Sequence, residues 1–385
     1  MADTHAAQLR RLWLNVHLWI ALGLCALLVP ISISGGLLVW HDEIDAWINP
    51  QRYAISGSQA LLPPVVYLAQ AQEAVVSDPA KPRATALRYP EPGWPMRVVM
   101  RAQPSEAGAR PRVLTVYLDP STARVLDVVD FRSSFFGFLH VFHENLTIPE
   151  YSGRQIVGWA GVGMLVLSLT GLWLWWPRGG FVRGLRWRRS PLFTFNLHSL
   201  LGFWISLPLA VVSATGIYLS FPQTARQAMS SIAPMTPQGQ RPGFGQIAQH
   251  TVLTADQALA AALASEPSGK PVALFLPVQQ RERPLTWRTQ ISRAGSADVI
   301  TLMTDDRTGQ TSLGAAPLSG DRAAAWIRWI HEGSHSGTVW AVAVTLTGIF
   351  PTIFAVTGII MWLRKRAGRK ELGRKGAKPR LRPAE

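Results

Sequence analysis

The sequence predicts an integral membrane, all-α four-helix bundle that carries two small α+β modules outside the bilayer, the whole built by internal duplication. Three observations predict it. Four long runs contain no Asp, Glu, Lys or Arg, basic residues concentrate in three short segments, and small motifs recur at a nearly constant interval.

The runs are Leu12 to Trp40, Ile156 to Trp176, Leu192 to Phe221 and Val339 to Leu363. Each reaches the roughly 20 residues needed to cross a hydrocarbon core about 30 Å thick. With 48% hydrophobic residues, 16% charged and 16 Trp in 385 residues, the chain is too apolar for an ordinary soluble enzyme. The first run is 29 residues long, about twice the 7–15-residue apolar core of a secretory signal. It also matches the third run, so it reads as a retained helix.

Charge sets the orientation. Residues 1–11 carry +1, residues 178–190 carry five Arg and no acid, and residues 364–385 carry ten basic against two acidic, together +14 of the net +15. Short cytoplasmic segments hold the Lys/Arg excess, so both termini and the 179–190 loop are expected in the cytoplasm. The 364–385 tail suits anionic lipid beside a membrane span, and nucleic acid is not expected.

The duplication starts at Asn15-Val16-His17, which returns as Asn196-Leu197-His198, an offset of 181. Eighteen residues after each histidine a small-residue stretch ends, Ser32-Ile33-Ser34-Gly35 and Ser213-Ala214-Thr215-Gly216. His143-Glu144 returns as His331-Glu332, and Thr170-Gly171 as Thr357-Gly358, at offsets of 188 and 187. The expected order is helix 1 over 1–42, a module over 43–132, a histidine segment with helix 2 over 133–178, and the loop 179–190. Helix 3 over 191–222, a second module over 223–325, a histidine segment with helix 4 over 326–363, and the tail follow. Each module shows a helical stretch and several β-like runs, with Asp119-Pro120-Ser121-Thr122 and Asp305-Asp306-Arg307-Thr308 in matching turns.

Cys25 is the single cysteine and lies in the first run, which excludes an intramolecular disulfide and a Cys-ligated iron–sulfur cluster. Chemistry therefore falls to histidine. His17, His198, His143 and His331 occupy duplicated positions, one pair near each membrane face. Imidazole is a usual axial ligand of haem iron. A pseudo-twofold axis along the membrane normal would set His17 against His198 and His143 against His331, two haem sites at two depths. The plain alternative is an interfacial, hydrogen-bonded histidine. At the outer pair His140 and His335 are rival ligands on the same helix faces, while His41 has no repeat partner and reads as structural. Gly35, Gly36, Gly171, Gly216 and Gly358 permit close helix approach or leave room for a macrocycle. Arg97, Arg101, Arg112 and Arg132 are candidates for an anionic ligand.

Phe142-His143-Glu144-Asn145-Leu146, then Gly153-Arg154-Gln155-Ile156-Val157-Gly158, then Leu169-Thr170-Gly171-Leu172-Trp173-Leu174-Trp175-Trp176-Pro177-Arg178 resembles the PepSY-associated transmembrane helix family. Ile330-His331-Glu332-Gly333 with Thr357-Gly358-Ile359-Ile360-Met361-Trp362-Leu363-Arg364 is similar to the same family's closing signature. The resemblance covers almost the whole chain and implies that the outside modules are PepSY-like and periplasmic. It extends to FoxB-type ferrisiderophore reductases of the bacterial inner membrane. It thereby implies two haem b groups held by His17, His198, His143 and His331, a ferric siderophore as substrate, and an electron donor that is a quinol or a cytoplasmic reductase. The other reading is a membrane-anchored PepSY binding or regulatory protein without redox activity.

Overall fold

The computed structural model describes all residues except 1, 103–111, 177–181, 183–184, 186–189, 238–245, 280–283, 294–298, 336 and 377–385. The five arginines of the 178–190 segment and the end of the basic tail lie outside the described residues. Contacts divide the chain into a helical unit (1–40, 139–232, 322–385) and a sheet unit (41–138, 233–321).

Four helices of the helical unit are long and apolar enough to cross a membrane: α1 (Ala2–Leu38), α5 (Gly153–Trp175), α6 (Phe193–Ser220) and α10 (Gly337–Gly376). They enclose their own backbone hydrogen bonds, which a hydrocarbon layer demands. Helix α1 packs on α5 and α10, and α6 packs on the same two, so the four close into a ring. Small residues let the backbones approach: a Cβ built on Gly348 would lie 2.7 Å from Gly36 Cα, at the α1–α10 crossing. Polar groups at helix ends are tied to neighbours, Trp40 Nε1 donating to Thr345 Oγ1 at 2.7 Å and Arg10 to Leu174 O at 2.8 Å.

Shorter helices complete the set: α2 (His41–Ile48), α3 (Pro64–Ala74), α4 (Phe135–Asn145), α7 (Pro222–Ile232), α8 (Ala255–Ser265) and α9 (Ser319–Glu332). The sequence assigns residues 223–232 to the edge of the second module, whereas α7 groups with the helical unit.

The two modules differ from expectation in one respect. Each supplies four strands, β1 (Arg83–Arg88), β2 (Met96–Ala102), β3 (Arg112–Leu118) and β4 (Val125–Asp130) from the first, and β6 (Lys270–Phe275), β8 (Thr286–Ser292), β9 (Val299–Asp305) and β10 (Thr311–Leu313) from the second. All eight form one antiparallel sheet in the order β10-β9-β8-β6-β1-β2-β3-β4. The join is β1 against β6, Leu87 opposite Leu274. Each half alone would expose that edge, and pairing the two edges removes the hazard of an open strand. A further pair, β5 (Gln246–Ile247) and β7 (Val278–Gln279), stands apart.

Alternation along the strands places the core on one face. Leu87, Met96, Val98, Met100, Leu274 and Trp287 pack with Tyr67 and Ala71 of α3 and Ala255 and Ala258 of α8. One aspartate from each of the matching turns, Asp119 and Asp306, braces the segment before these helices. Asp119 accepts from Ser56 N at 2.9 Å, and Asp306 accepts from Val252 N at 2.8 Å and Trp287 Nε1 at 2.8 Å. Their recurrence is structural.

Candidate functional site: two histidine pairs in the helical unit

His17 lies on α1 and His198 on α6, near the start of each apolar stretch, whereas His143 and His331 sit on the short helices α4 and α9. Each imidazole meets a Ser/Thr-Gly dipeptide of a long helix. His17 Nδ1 lies 2.9 Å from Thr170 Oγ1, and His198 Nδ1 lies 2.8 Å from Thr357 Oγ1. His143 Nδ1 lies 2.9 Å from Ile31 O and 3.1 Å from Ser34 Oγ. His331 Nδ1 lies 3.0 Å from Val212 O and 3.2 Å from Thr215 Oγ1.

These contacts fix the tautomer. A carbonyl oxygen only accepts, so Nδ1 of His143 and of His331 carries the hydrogen. At His17 the threonine hydroxyl spends its one hydrogen on Val166 O at 2.6 Å, and at His198 on Ile353 O at 2.7 Å. Each hydroxyl therefore accepts from the imidazole. In all four rings Nε2 keeps a free lone pair, the state a metal-ligating histidine holds when its other nitrogen donates to a fixed acceptor. Burial pushes His143 and His331 below the ordinary imidazole range, which keeps both neutral.

The glycine after each hydroxyl makes the room. A Cβ on Gly35 would fall 2.6 Å from His143 Cε1, and one on Gly216 would fall 2.9 Å from His331 Cε1. Gly171 and Gly358 face His17 and His198 more loosely, at 3.4 and 3.8 Å. The sequence shows these dipeptides as repeats but not what they touch. The serine and threonine hydroxyls are the functional candidates that sequence reasoning missed, and the matched offsets of Ser/Thr-Gly and His were the signal.

The ring centroids of His143 and His331 are 6.1 Å apart. Two imidazoles sharing one metal, each with a metal–nitrogen bond of about 2 Å, put their centroids roughly 6 Å apart. His17 and His198 hold matched positions on α1 and α6, each with Nδ1 on a threonine hydroxyl. Along α1, His17 and Ser34 are separated by about 25 Å at 1.5 Å per residue, so the pairs lie at opposite ends of the bundle. Among the described residues no three His, Cys, Asp or Glu side chains converge. Two imidazoles per end match the axial set of a haem and fall short of a tetrahedral zinc site.

The rival residues lie elsewhere. His140 is exposed, 3.9 Å from Glu144, and His335 is exposed and stacked on Trp329 at 4.5 Å. Asn196 is buried and braces Ser190, accepting from its N at 2.9 Å, whereas Asn15 is exposed. Arg112 is held by Asp78 and Asp130 at 2.7 and 2.6 Å.

A comparison with curated proteins finds no match. A family model described as the PepSY-associated TM region matches residues 14–365, a span that includes all four paired histidines and both halves of the sheet. By that match over most of its length, the chain belongs to the PepSY-associated transmembrane family.

Proposed function

We propose that the protein is a di-haem b electron carrier of the bacterial inner membrane that reduces a ferric siderophore on the periplasmic side. The observation that carries this reading is the set of four half-buried imidazoles, two at each end of the bundle, each with Nδ1 committed to an acceptor. His17 and His198 would hold one haem and His143 and His331 the other. When bound, haem supplies one-electron exchange between ferric and ferrous iron.

The chain's own residues do the rest. Thr170, Thr357, Ile31 O and Val212 O orient the rings and enrich their electron density through the Nδ1–H bonds. The apolar helices exclude water, and the glycines admit the rings at van der Waals range. Reduction of the substrate's iron releases it, because hard oxygen donors hold Fe(III) far better than Fe(II). The donor, a quinol or a separate cytoplasmic reductase, would meet the cytoplasmic end, where the basic tail also suits anionic lipid.

The test is an absorbance spectrum of the detergent-purified protein, air-oxidised and then dithionite-reduced, with haem quantified per chain. Two six-coordinate b-type haems per chain are expected. A colourless protein that inserts normally would overturn the reading and favour a membrane-anchored PepSY binding or regulatory protein.

A further inference from the structure

The sheet unit carries a cluster of three cations, two of them without a carboxylate partner among the described residues. Leu87, Val98, Leu274 and Trp287 face α3 and α8, so by strand alternation Arg88, Arg97, Phe275 and Arg288 point to the other face. Register aligns them: Arg97 lies opposite Arg88, and Phe275 opposite Arg288, one two-residue step along the strands. Arg288 stacks on the Phe275 ring with its guanidinium carbon 4.0 Å from the centroid, and Arg88 approaches the same ring at 6.0 Å.

Like charges so placed repel. Burial and the neighbouring Arg97 push Arg88 below the ordinary guanidinium range, and burial and Arg88 do the same to Arg288. Arg97 has Asp42 at 3.5 Å, but among the described residues Arg88 and Arg288 have no carboxylate partner. Arg288 Nε is buried without any acceptor. The other sheet-unit arginines with strong pairs show what compensation looks like here: Arg52 is tied to Asp45 and Asp127 at 2.5 and 2.9 Å.

We propose that Arg88, Arg97 and Arg288, around Phe275, form a binding site for a small soluble polycarboxylate. Each guanidinium fork matches one carboxylate. The three rise from separate positions on β1, β2 and β8, Arg88 and Arg97 as cross-strand partners and Arg88 and Arg288 about one ring. An anion with two or three carboxylates meets the forks separately, whereas one phosphate or sulfate offers a single centre of charge. The proposal stands on the sheet alone and is independent of the histidine reading.

The experiment is calorimetric titration of the full-length detergent-solubilised protein with citrate, at low and at raised salt. Saturable binding that weakens as salt screens the charges is expected. Arg88→Gln and Arg288→Gln should each weaken it at least tenfold, and Arg293→Gln, an exposed arginine paired with Glu266, should leave it unchanged. Thermal melting separates binding from folding. Removing either free cation relieves repulsion, so both variants should melt no lower than the parent without citrate. Should Arg288→Gln misfold, Arg88→Gln carries the test. Absence of saturable citrate binding, persistence of binding in the Arg88→Gln/Arg288→Gln double variant, equal competition by inorganic phosphate, or cluster-dependent binding to anionic lipid vesicles instead of citrate would each overturn the proposal.

Discussion

The two histidine pairs are built from the same residue types at matched repeat positions, yet they are held differently. His17 and His198 belong to spanning helices, and their Nδ1 atoms rest on threonine hydroxyls. His143 and His331 belong to short separate helices, and their Nδ1 atoms reach backbone carbonyls of α1 and α6, with a hydroxyl as second contact. A ring on a spanning helix is placed by the packing of that helix. A ring on a short helix has to be captured, and a glycine notch with a backbone carbonyl does the capturing.

The largest expected effect comes from removing a ring. On the di-haem proposal, His17→Ala or His198→Ala should cut haem from two to one per chain and leave the other pair's spectrum intact. His143→Ala or His331→Ala should do the reverse. His140→Ala and His335→Ala should keep both haems, since the exposed His140 lies beside Glu144 and His335 stacks on Trp329. Haem content by pyridine haemochrome decides this. Loss of haem in the His140 or His335 variant, with His143 and His331 intact, would reassign that end.

A smaller effect separates the glycines. Gly35→Ala puts a methyl 2.6 Å from the His143 ring, and Gly216→Ala puts one 2.9 Å from His331. Overpacking of that kind costs about 1–3 kcal/mol, so the ring at that end should shift and haem occupancy should fall. Gly171→Ala and Gly358→Ala meet their rings at 3.4 and 3.8 Å, near ordinary contact, and should retain full haem. Equal losses in all four variants would mean that the glycines serve helix packing rather than the rings.

Much of this was legible in the sequence because duplication repeats an environment as well as a residue. The four apolar runs, the histidine pairs and the turns that begin at Asp119 and Asp305 follow from composition and offset. Two features did not. The continuous sheet depends on Leu87 finding Leu274 across 187 positions, and no local pattern encodes which edge pairs with which. Nor does spacing link Thr170 to His17, 153 residues away, because the contact exists only once α1 and α5 are packed. The pairing of Arg88 with Phe275 escaped for the same reason.

The smallest effect tests the acceptors themselves. An Nδ1–H bond raises the basicity of the ligating nitrogen and favours ferric iron. Thr170→Val or Thr357→Val removes the hydroxyl with little change of volume, and the potential at that end should rise. A hydrogen bond of about 1 kcal/mol corresponds to roughly 40 mV in a one-electron couple. Ser34→Ala removes only the second contact of His143, since Ile31 O at 2.9 Å remains, and should move the other potential by less than half as much. A redox titration that resolves the two haems reads both changes. A larger shift in Ser34→Ala than in Thr170→Val would show that the hydroxyl, not the carbonyl, governs the His143 ring, and the contrast between the two ends would then rest on the glycine notch alone.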